Sequence, residues 1–513
     1  MTIPPSPTTV AAQRALFATI GAAAGLMLWI LVDILPNQIH NDRLLLALSL
    51  APGSFFAVLL AALGPLRLRD AAAVGGLVAL ISTALFSWAG VRFNTVEALF
   101  DSGHVLAAYL VLVTIPVPFL IAARRPDVRW QDYPTLFTEA WSILVRYAAA
   151  WVFTAIFWGV LLLSNEVLKI VGIGLIEHLI KRAPVPFVLT GLVLGIGLAV
   201  VHEMRQMISP TLLLRLLRLL TPLVFAVSLV FVIAAPINGL SGLFGSFSAA
   251  TTLMAMAIAA VTLVTVTLDQ TDADAASAPL LAWSARLTSL LVAVMGALAL
   301  WAVWLRVGQY GLTPARVAAL TGAAITLAYG LAFALAVLRG LGWMARIRRA
   351  NIALALALIA LAVLWLTPAL NAERLSVRSQ IVRFEAGKTD IDGLDLWSLA
   401  HDWGRAGTRA LKALRAPDHP RAADLAPALT RLDAAPNRYA YHAEDQDAAS
   451  IKAVVDPTTY DDLRAILPVV PKGASLPAQL EGAETAAGSI RLQNVANGCA
   501  RRTPANAPAC VAI

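Results

Sequence analysis

Apolar residues dominate the chain from residue 15 to residue 369 in eleven long stretches, and polar residues dominate the remainder. A helix that crosses a bilayer needs about 20 mostly apolar residues, because hydrocarbon offers no hydrogen-bond partner to the backbone. The stretches that this length criterion selects predict membrane-spanning helices. The predicted spans are Ala15–Ile34, Leu44–Leu63, Ala71–Val91, His104–Ala123, Ile143–Leu163, Pro186–Val201, Leu219–Ile237, Ser248–Leu268, Leu287–Leu305, Val317–Leu338 and Asn351–Ala369.

The pattern therefore predicts an all-α polytopic membrane bundle of about eleven transmembrane helices with a small C-terminal soluble domain. Residues 1–14 form a leader, residues 15–370 the bundle, and residues 371–513 the soluble domain. In this tail, apolar residues recur at helical spacing from Leu396 to Leu414, and Ala422–Leu432 suggests a second helix. A short apolar run at residues 465–470 is interrupted by prolines, so the tail domain is expected to be helical or α+β.

Composition agrees with a membrane protein and excludes a nucleic-acid binder. Hydrophobic residues make up 59% of the chain and charged residues 14%, against about 25% charged in soluble proteins. The net charge of +8 belongs to the bundle, which carries 22 Lys and Arg against 14 Asp and Glu up to residue 370, whereas the tail carries 17 of each. Cationic loops of this kind indicate membrane lipids as partners and no nucleic acid.

The distribution of loop cations predicts the orientation. When the loops are assigned alternately to two sides, the side that contains Arg14 holds 15 cations and the other side holds 7. The positive-inside rule then predicts a cytoplasmic N-terminus. Because eleven is odd, the C-terminal domain is predicted on the opposite, outer side.

The two cysteines fit an outer location of the tail. Cys499 and Cys510 are the only cysteines, and both lie near the C-terminus. A disulfide is permitted in an oxidising compartment and is rare in the cytosol. The sequence therefore predicts a Cys499–Cys510 disulfide, with two unpaired thiols as the alternative.

Two glycine pairs indicate close helix packing. Gly21 and Gly25 lie four residues apart in the first span, and Gly191 and Gly195 do so in the sixth. Small residues at this spacing let two helix backbones approach in lipid, where apolar burial no longer drives association.

The interiors of the predicted spans carry no Asp, Glu, Lys or Arg near their middle. Ionisable groups at that depth are typical of proton relays and ion-coupled carriers, so a charge-coupled transporter is disfavoured. An uncharged pathway stays open. The residues that can line it are Thr251, Thr252, Thr262, Thr265 and Thr267 of the eighth span and Tyr329 of the tenth. The alternative is that these threonine hydroxyls bond to their own helix.

Strings that resemble catalytic or metal-binding motifs lack required residues. His202-Glu203 begins like H-E-x-x-H, but Gln206 stands where zinc needs the second His. The Asp-rich string at residues 390–395 lacks calcium-loop spacing and indicates a turn followed by Asp395 as a helix cap. No phosphate-binding loop and no G-x-S-x-G occurs. The sequence thus favours a non-enzymatic protein without metal or cofactor.

The most distinctive string runs from Arg306 to Arg316, between the ninth and tenth spans. Its glycines allow tight turns, Thr313 can cap the next helix, and Pro314 suits a first helical turn. The polar groups of Arg306, Gln309, Tyr310 and Arg316 exceed what a turn requires. They predict a binding patch for a lipid phosphate or for the tail itself, with plain loop structure as the alternative.

A family resemblance rests on this string and two others. The string Gln-Tyr-Gly-Leu-Thr-Pro-x-Arg at residues 309–316, the pair Leu370-Asn371 and the string Ser-x-Arg-Ser-Gln at residues 376–380 occur together. In these strings the chain resembles a bacterial multi-pass family known as domain of unknown function number four-one-five-three. The resemblance implies an inner-membrane protein with many helices followed by a soluble C-terminal region, and it implies no activity. The candidate binding positions are Arg306, Gln309, Tyr310, Thr313, Arg316, Arg378 and Gln380, and all but Arg306 lie in the matching strings.

Three functions fit these observations. The leading hypothesis is a non-enzymatic inner-membrane protein whose periplasmic domain docks on the bundle and senses, binds or organises an envelope protein or a lipid headgroup. A transporter or permease for an uncharged or lipidic substrate is the first alternative. A lipid-linked transferase is the second, for which the first outer loop offers Asp33, His40 and Asp42 in about nine residues.

Overall fold

The computed structural model describes residues 7–203, 210–238 and 249–441. These residues form helices and no strand. Eleven helices are long and apolar enough to cross a membrane, which confirms the predicted all-α membrane bundle. In chain order, spans 1 to 11 are Val10–Gln38, Asp42–Ala62, Leu68–Gly90, His104–Ala123, Tyr133–Ile170, Pro184–Glu203, Leu213–Ala234, Ala249–Leu268, Pro279–Tyr310, Pro314–Leu338 and Trp343–Leu366.

Prolines explain two irregular helices. Span 1 passes through a π-helical turn at Ile30–Ile34 before its last turn, Leu35–Gln38, which contains Pro36. A proline has no N–H for the carbonyl four residues earlier, and a wider turn accommodates this loss. Span 4 is likewise divided into His104–Thr114 and Pro116–Ala123 at its own proline.

Two helices extend well beyond the predicted apolar stretch. Span 5 has 38 residues and begins ten residues earlier than predicted, at a cap where Asp132 accepts a hydrogen bond from the amide of Thr135 at 3.1 Å. Span 1 runs on to Gln38, which shortens the first loop from about nine residues to three. Asp33, which the transferase alternative places in that loop, lies within the helix and accepts a hydrogen bond from the indole of Trp29 at 3.0 Å.

Successive spans run in opposite directions, so the bundle has two faces. Arg14 at the start of span 1 binds Glu203 at the end of span 6, and we call this end the N-terminal face. Arg43 at the start of span 2 reaches the carbonyl of Phe93, just after span 3, at the opposite end. We call that end, where span 11 finishes, the tail face.

The spans form two groups with separate cores. Side chains of spans 1 to 6 pack around Phe17, Leu59 and Leu198, and side chains of spans 7 to 10 pack around Leu253 and Met295. A third cluster joins the groups at the tail face, where Trp365 and Leu366 of span 11 pack against spans 3 and 4. A smaller cluster at the N-terminal face joins spans 5, 7 and 8.

Spans 1 and 6 approach so closely that only glycine fits between them. A Cβ on Gly21 would lie 2.1 Å from the carbonyl oxygen of Gly191, and a Cβ on Gly195 would lie 2.2 Å from that of Phe17. The two predicted glycine pairs therefore pack against each other.

Arginine side chains bind the ends of several spans. The last carbonyls of a helix have no partner within it, and a guanidinium offers five N–H donors. Arg146 donates to the carbonyls of Ala61 and Leu63 at the end of span 2, at 2.7 and 3.1 Å. Arg348 donates to the carbonyls of Leu268 and Asp269 at the end of span 8, at 2.5 and 3.0 Å.

Four helices follow span 11 among the described residues, and the first three lie before residue 415. These three are the juxtamembrane helix Ala372–Glu385 and the helices Leu396–His401 and Gly404–Leu414. The predicted cap is present, because Asp395 accepts from the amide of Ser398 at 2.9 Å. Gly404 has a φ of 55° and divides the predicted helix Leu396–Leu414 into two.

The chain divides into two units between Ala413 and Leu414. Of the second unit the structure describes the helix Ala422–Ala434, as predicted, and an ion pair between Arg415 and Asp433 at 2.6 Å. The predicted apolar run at residues 465–470 and the predicted Cys499–Cys510 disulfide lie outside the described residues.

We expect Gly191→Ala to lower the free energy of unfolding by about 1–3 kcal/mol, because the added methyl group overlaps the backbone of span 1. Thermal unfolding in detergent measures this change. Gly76→Ala in span 3 is the matched control, since its Cβ meets nothing within 4 Å. The control should be neutral or stabilising by up to about 1 kcal/mol. Equal melting temperatures for the two variants would contradict the packing of spans 1 and 6.

Candidate functional site

The string from residue 306 to 316 forms the outer hairpin, which joins spans 9 and 10 at the tail face. Gly311 has a φ of 73°, which glycine adopts readily. The Thr313 hydroxyl accepts a hydrogen bond from the amide of Arg316 at 3.3 Å, and Pro314 begins the helix. The turn and the cap thus form as the sequence predicts.

Polar side chains of the juxtamembrane helix bind the backbone of this hairpin. Gln380 is 4% exposed and donates to the carbonyls of Tyr310 and Leu312, at 2.9 Å each. The Ser379 hydroxyl accepts from the amide of Leu312 at 3.1 Å. Arg316 donates to the carbonyl of Gly311 at 2.8 Å and lies over the Tyr310 ring. The hairpin therefore contacts the first helix of the tail.

Five of the seven predicted binding residues line one cavity of about 440 Å³ at the tail face, which we call the outer pocket. They are Gln309, Tyr310, Thr313, Arg316 and Gln380. Arg306 and Arg378 do not line it, and both are exposed.

Helical geometry explains why Arg378 is left out of the outer pocket. It lies two residues before Gln380, and positions two apart point to different sides of a helix. Arg383, three residues after Gln380, shares its side and does line the pocket. This spacing could have identified Arg383 from the sequence.

A buried polar cluster, which the sequence analysis missed, joins four elements at the tail face. His104 Nε2 of span 4 lies 3.4 Å from Glu373 Oε1 of the juxtamembrane helix. Trp365 Nε1 of span 11 lies 3.1 Å from His104 Nδ1. Arg92, from the loop after span 3, donates to the carbonyls of Trp365, at 3.0 Å, and Thr367.

The hydrogen bonds assign the imidazole tautomer. An indole N–H only donates, so His104 Nδ1 accepts and the proton of the neutral ring sits on Nε2, facing Glu373. Glu373 is 2% exposed, and among the described residues no donor has hydrogen-bonding geometry to either carboxylate oxygen. Burial raises the pKa of Glu373, and the positive charge of Arg92 partly offsets this. Burial also lowers the pKa of Arg92, which Glu373 partly offsets.

A larger cavity, of about 650 Å³, lies between the two groups of spans, and we call it the seam cavity. Spans 2, 4 and 5 line one side and spans 8, 10 and 11 the other. Its lining residues belong to the parts of these spans nearer the N-terminal face, such as Ala61, Thr265 and Asn351. Ala140 and Leu144 line it and are exposed, so the cavity opens sideways through the bundle wall.

The lining of the seam cavity is mostly apolar and carries no charged side chain. Asn351 Nδ2 lies 3.4 Å from both the Tyr133 hydroxyl and the Thr265 hydroxyl. The buried Asn351 Oδ1 accepts no hydrogen bond from the described residues. Tyr329 also lines the cavity.

Three residues proposed from the sequence for an uncharged pathway, Thr262, Thr265 and Tyr329, line this one cavity. The alternative, that threonine hydroxyls bond to their own helix, applies to two of the threonines proposed for this pathway. Thr262 and Thr267 donate to carbonyls of their own helix, at 2.9 and 2.8 Å.

The His202-Glu203 string, which begins like a zinc-binding motif, forms an ion pair in the structure. Glu203 of the H-E string binds Arg14 through both carboxylate oxygens, with a shortest distance of 2.6 Å. Among residues 7–203, 210–238 and 249–441, no group of three His, Cys, Asp or Glu side chains could hold a metal ion.

Eleven spans, exposed apolar side chains around them and a laterally open cavity define a multi-pass membrane protein. No protein-family model matches the chain, and searches of curated proteins and of solved structures find no match either.

The raised pKa of Glu373 predicts a pH dependence of stability. The folded protein holds this proton more tightly than the unfolded chain does, so the stabilisation is fully present below the ordinary carboxyl pKa. It is lost as the pH rises through the raised pKa of the folded state. Melting temperatures in detergent between pH 4 and pH 8 test this, and Glu373→Gln should remove this component. An unchanged pH profile in that variant would refute it.

Gln380→Ala should loosen the outer hairpin, because it leaves two carbonyls without their donor, at a cost of about 1–3 kcal/mol. Hydrogen exchange at residues 306–316 should accelerate by about tenfold or more. Arg378→Ala on the same helix is the control and should leave exchange unchanged. Equal exchange in both variants would show that Gln380 does not bind the hairpin.

Proposed function

We propose that this membrane protein binds an uncharged, largely apolar membrane molecule in the seam cavity and acts as a non-enzymatic binding or sensing protein. The observation that carries the proposal is the laterally open cavity between the two groups of spans. Its volume falls within the range of about 300–1,000 Å³ that is typical of ligand sites.

The chemistry of the lining supports an uncharged ligand. An ionised group in this cavity would lose its hydration and meet no opposite charge, which is costly. A hydroxyl or an amide can instead donate to Asn351 Oδ1, which has no donor among the described residues. An apolar molecule with one such group matches both the apolar lining and the acceptor Asn351 Oδ1.

The side opening supports a ligand that comes from the membrane. Leu144 lines the cavity and is 57% exposed on span 5. A diacylglycerol or an isoprenoid alcohol reaches such an opening from the hydrocarbon without crossing water. Both have the apolar body and the single hydroxyl that the lining favours.

The proposal includes a cellular setting. The positive-inside rule makes the N-terminal face cytoplasmic, and the family resemblance suggests a bacterial inner membrane. The tail helices then lie on the periplasmic side. Reporter fusions at residue 2 and after Ile513 test this orientation.

A transporter for the same class of molecule is the second candidate, favoured by the position of the cavity between two groups of helices. Such interfaces hold the substrate sites of many carriers. Transfer of a fluorescent diacylglycerol between the leaflets of proteoliposomes distinguishes the two. Binding without accelerated transfer supports the first candidate.

A photoreactive diacylglycerol with a diazirine in its acyl chain tests binding in lipid nanodiscs. We expect cross-linked peptides from spans 2, 4, 5, 8, 10 and 11. Ala355→Trp fills the cavity and should reduce labelling about fivefold or more. Asn351→Leu removes one hydrogen-bond partner, worth about 1 kcal/mol, and should weaken binding by roughly fivefold.

Ala353→Trp is the matched control. Ala353 is exposed on the same helix, two residues from Ala355, and does not line the cavity. Labelling should match the unmodified protein. Equal labelling of both tryptophan variants, or labelling spread evenly over the lipid-facing surface, would contradict the proposal.

A further inference from the structure

The outer pocket carries fixed positive charges on one wall. Arg383 donates to the carbonyls of Gly308 and Gln309, at 3.1 and 2.7 Å, and Arg316 is held by hairpin carbonyls in the same way. Within the part of the chain that the structure describes, neither arginine forms an ion pair with a carboxylate, and neither does Lys388. These cations are therefore positioned without being neutralised.

Negative charges lie on the same pocket, from the loop that follows the juxtamembrane helix. Asp390 and Asp392 line it, and neither forms an ion pair with the described residues. Asp395 also lines it but serves as the cap of the next helix. The pocket thus combines unpaired charges of both signs.

Aromatic side chains indicate the depth of the outer pocket in the membrane. Trp301 and Trp304, in the last turns of span 9, are 56% and 63% exposed. Tyr310, which lines the pocket, is 63% exposed. Exposed Trp and Tyr near the end of a span are typical of the headgroup layer. The pocket therefore lies where phospholipid headgroups lie.

We propose that the outer pocket binds the phosphoethanolamine headgroup of phosphatidylethanolamine. The phosphate binds Arg316, Arg383 and Lys388, since guanidinium groups match phosphate oxygens. The primary ammonium donates to Asp390 and Asp392. A volume of about 440 Å³ accommodates this headgroup and leaves the acyl chains in the membrane.

This site is independent of the seam cavity, which is nearer the other face and binds uncharged molecules. A purely anionic headgroup would satisfy the cations and leave the aspartates without a partner. The trimethylated ammonium of phosphatidylcholine has no N–H to donate to them. Phosphatidylethanolamine alone among these three supplies both interactions.

Titration of the detergent-solubilised full chain with short-chain dihexanoyl lipids tests the proposal by isothermal calorimetry. We expect dihexanoyl phosphatidylethanolamine to bind about tenfold more tightly than the phosphatidylcholine or the phosphatidylglycerol, as one charge-assisted hydrogen bond predicts. Free O-phosphoethanolamine should bind more weakly than the lipid, because it lacks the apolar chains.

Variants locate the site. Lys388→Gln removes a cation that makes no hydrogen bond to the described residues, so folding should be preserved while binding weakens several-fold. Asp390→Asn with Asp392→Asn should abolish the preference over phosphatidylcholine. Arg378→Gln, an exposed residue outside the pocket, should change nothing.

Several results would overturn the proposal. These are equal affinity for the three lipids, equal effects of Lys388→Gln and Arg378→Gln, or tighter binding of phosphatidylglycerol. Free O-phosphoethanolamine binding as tightly as the lipid would overturn the assignment to a membrane lipid. None of these outcomes bears on the seam cavity, whose ligand and variants are different.

Discussion

The last turn of every helix leaves backbone carbonyls without partners, and arginine side chains satisfy many of them in this protein. Arg146, Arg348 and Arg92 each donate to two or more carbonyls at the end of a neighbouring span. Each guanidinium places positive charge at the negative end of a helix dipole and also joins two helices. The cations that set the predicted orientation are therefore also part of the packing, and the cavities lie between helices positioned in this way.

The two cavities differ because their surroundings differ. At the seam, two groups of spans with separate cores meet, and their contact is completed near the faces by clusters around Trp365 and Phe137. The space between those clusters stays open, apolar and uncharged. At the tail face the hairpin and the juxtamembrane helix meet through polar groups at the ends of spans 9, 10 and 11. The uncharged cavity thus lies between the spans, and the charged cavity lies at their ends.

Glu373 lies at the tail face in a buried contact between the juxtamembrane helix and span 4. Asn371 caps the juxtamembrane helix, and Glu373 lies in its first turn, where a helix favours negative charge. The helix then turns that carboxyl inward against His104 rather than toward water. The contact between this carboxyl and the imidazole joins the juxtamembrane helix to span 4. The loop after span 3 belongs to the same arrangement through Arg92.

The sequence by itself determined the eleven spans, the caps at Thr313 and Asp395, and the tendency of the glycine pairs to pack. Hydropathy over 20 residues and capping within a turn are local properties, so one stretch of chain contains all the information they need. The tertiary structure decided that Gly21 packs against Gly191, that Glu373 meets His104, and that Thr265 and Asn351 share a cavity. In lipid one apolar helix face resembles another, so partners are chosen by shape and by a few polar contacts between distant parts of the chain.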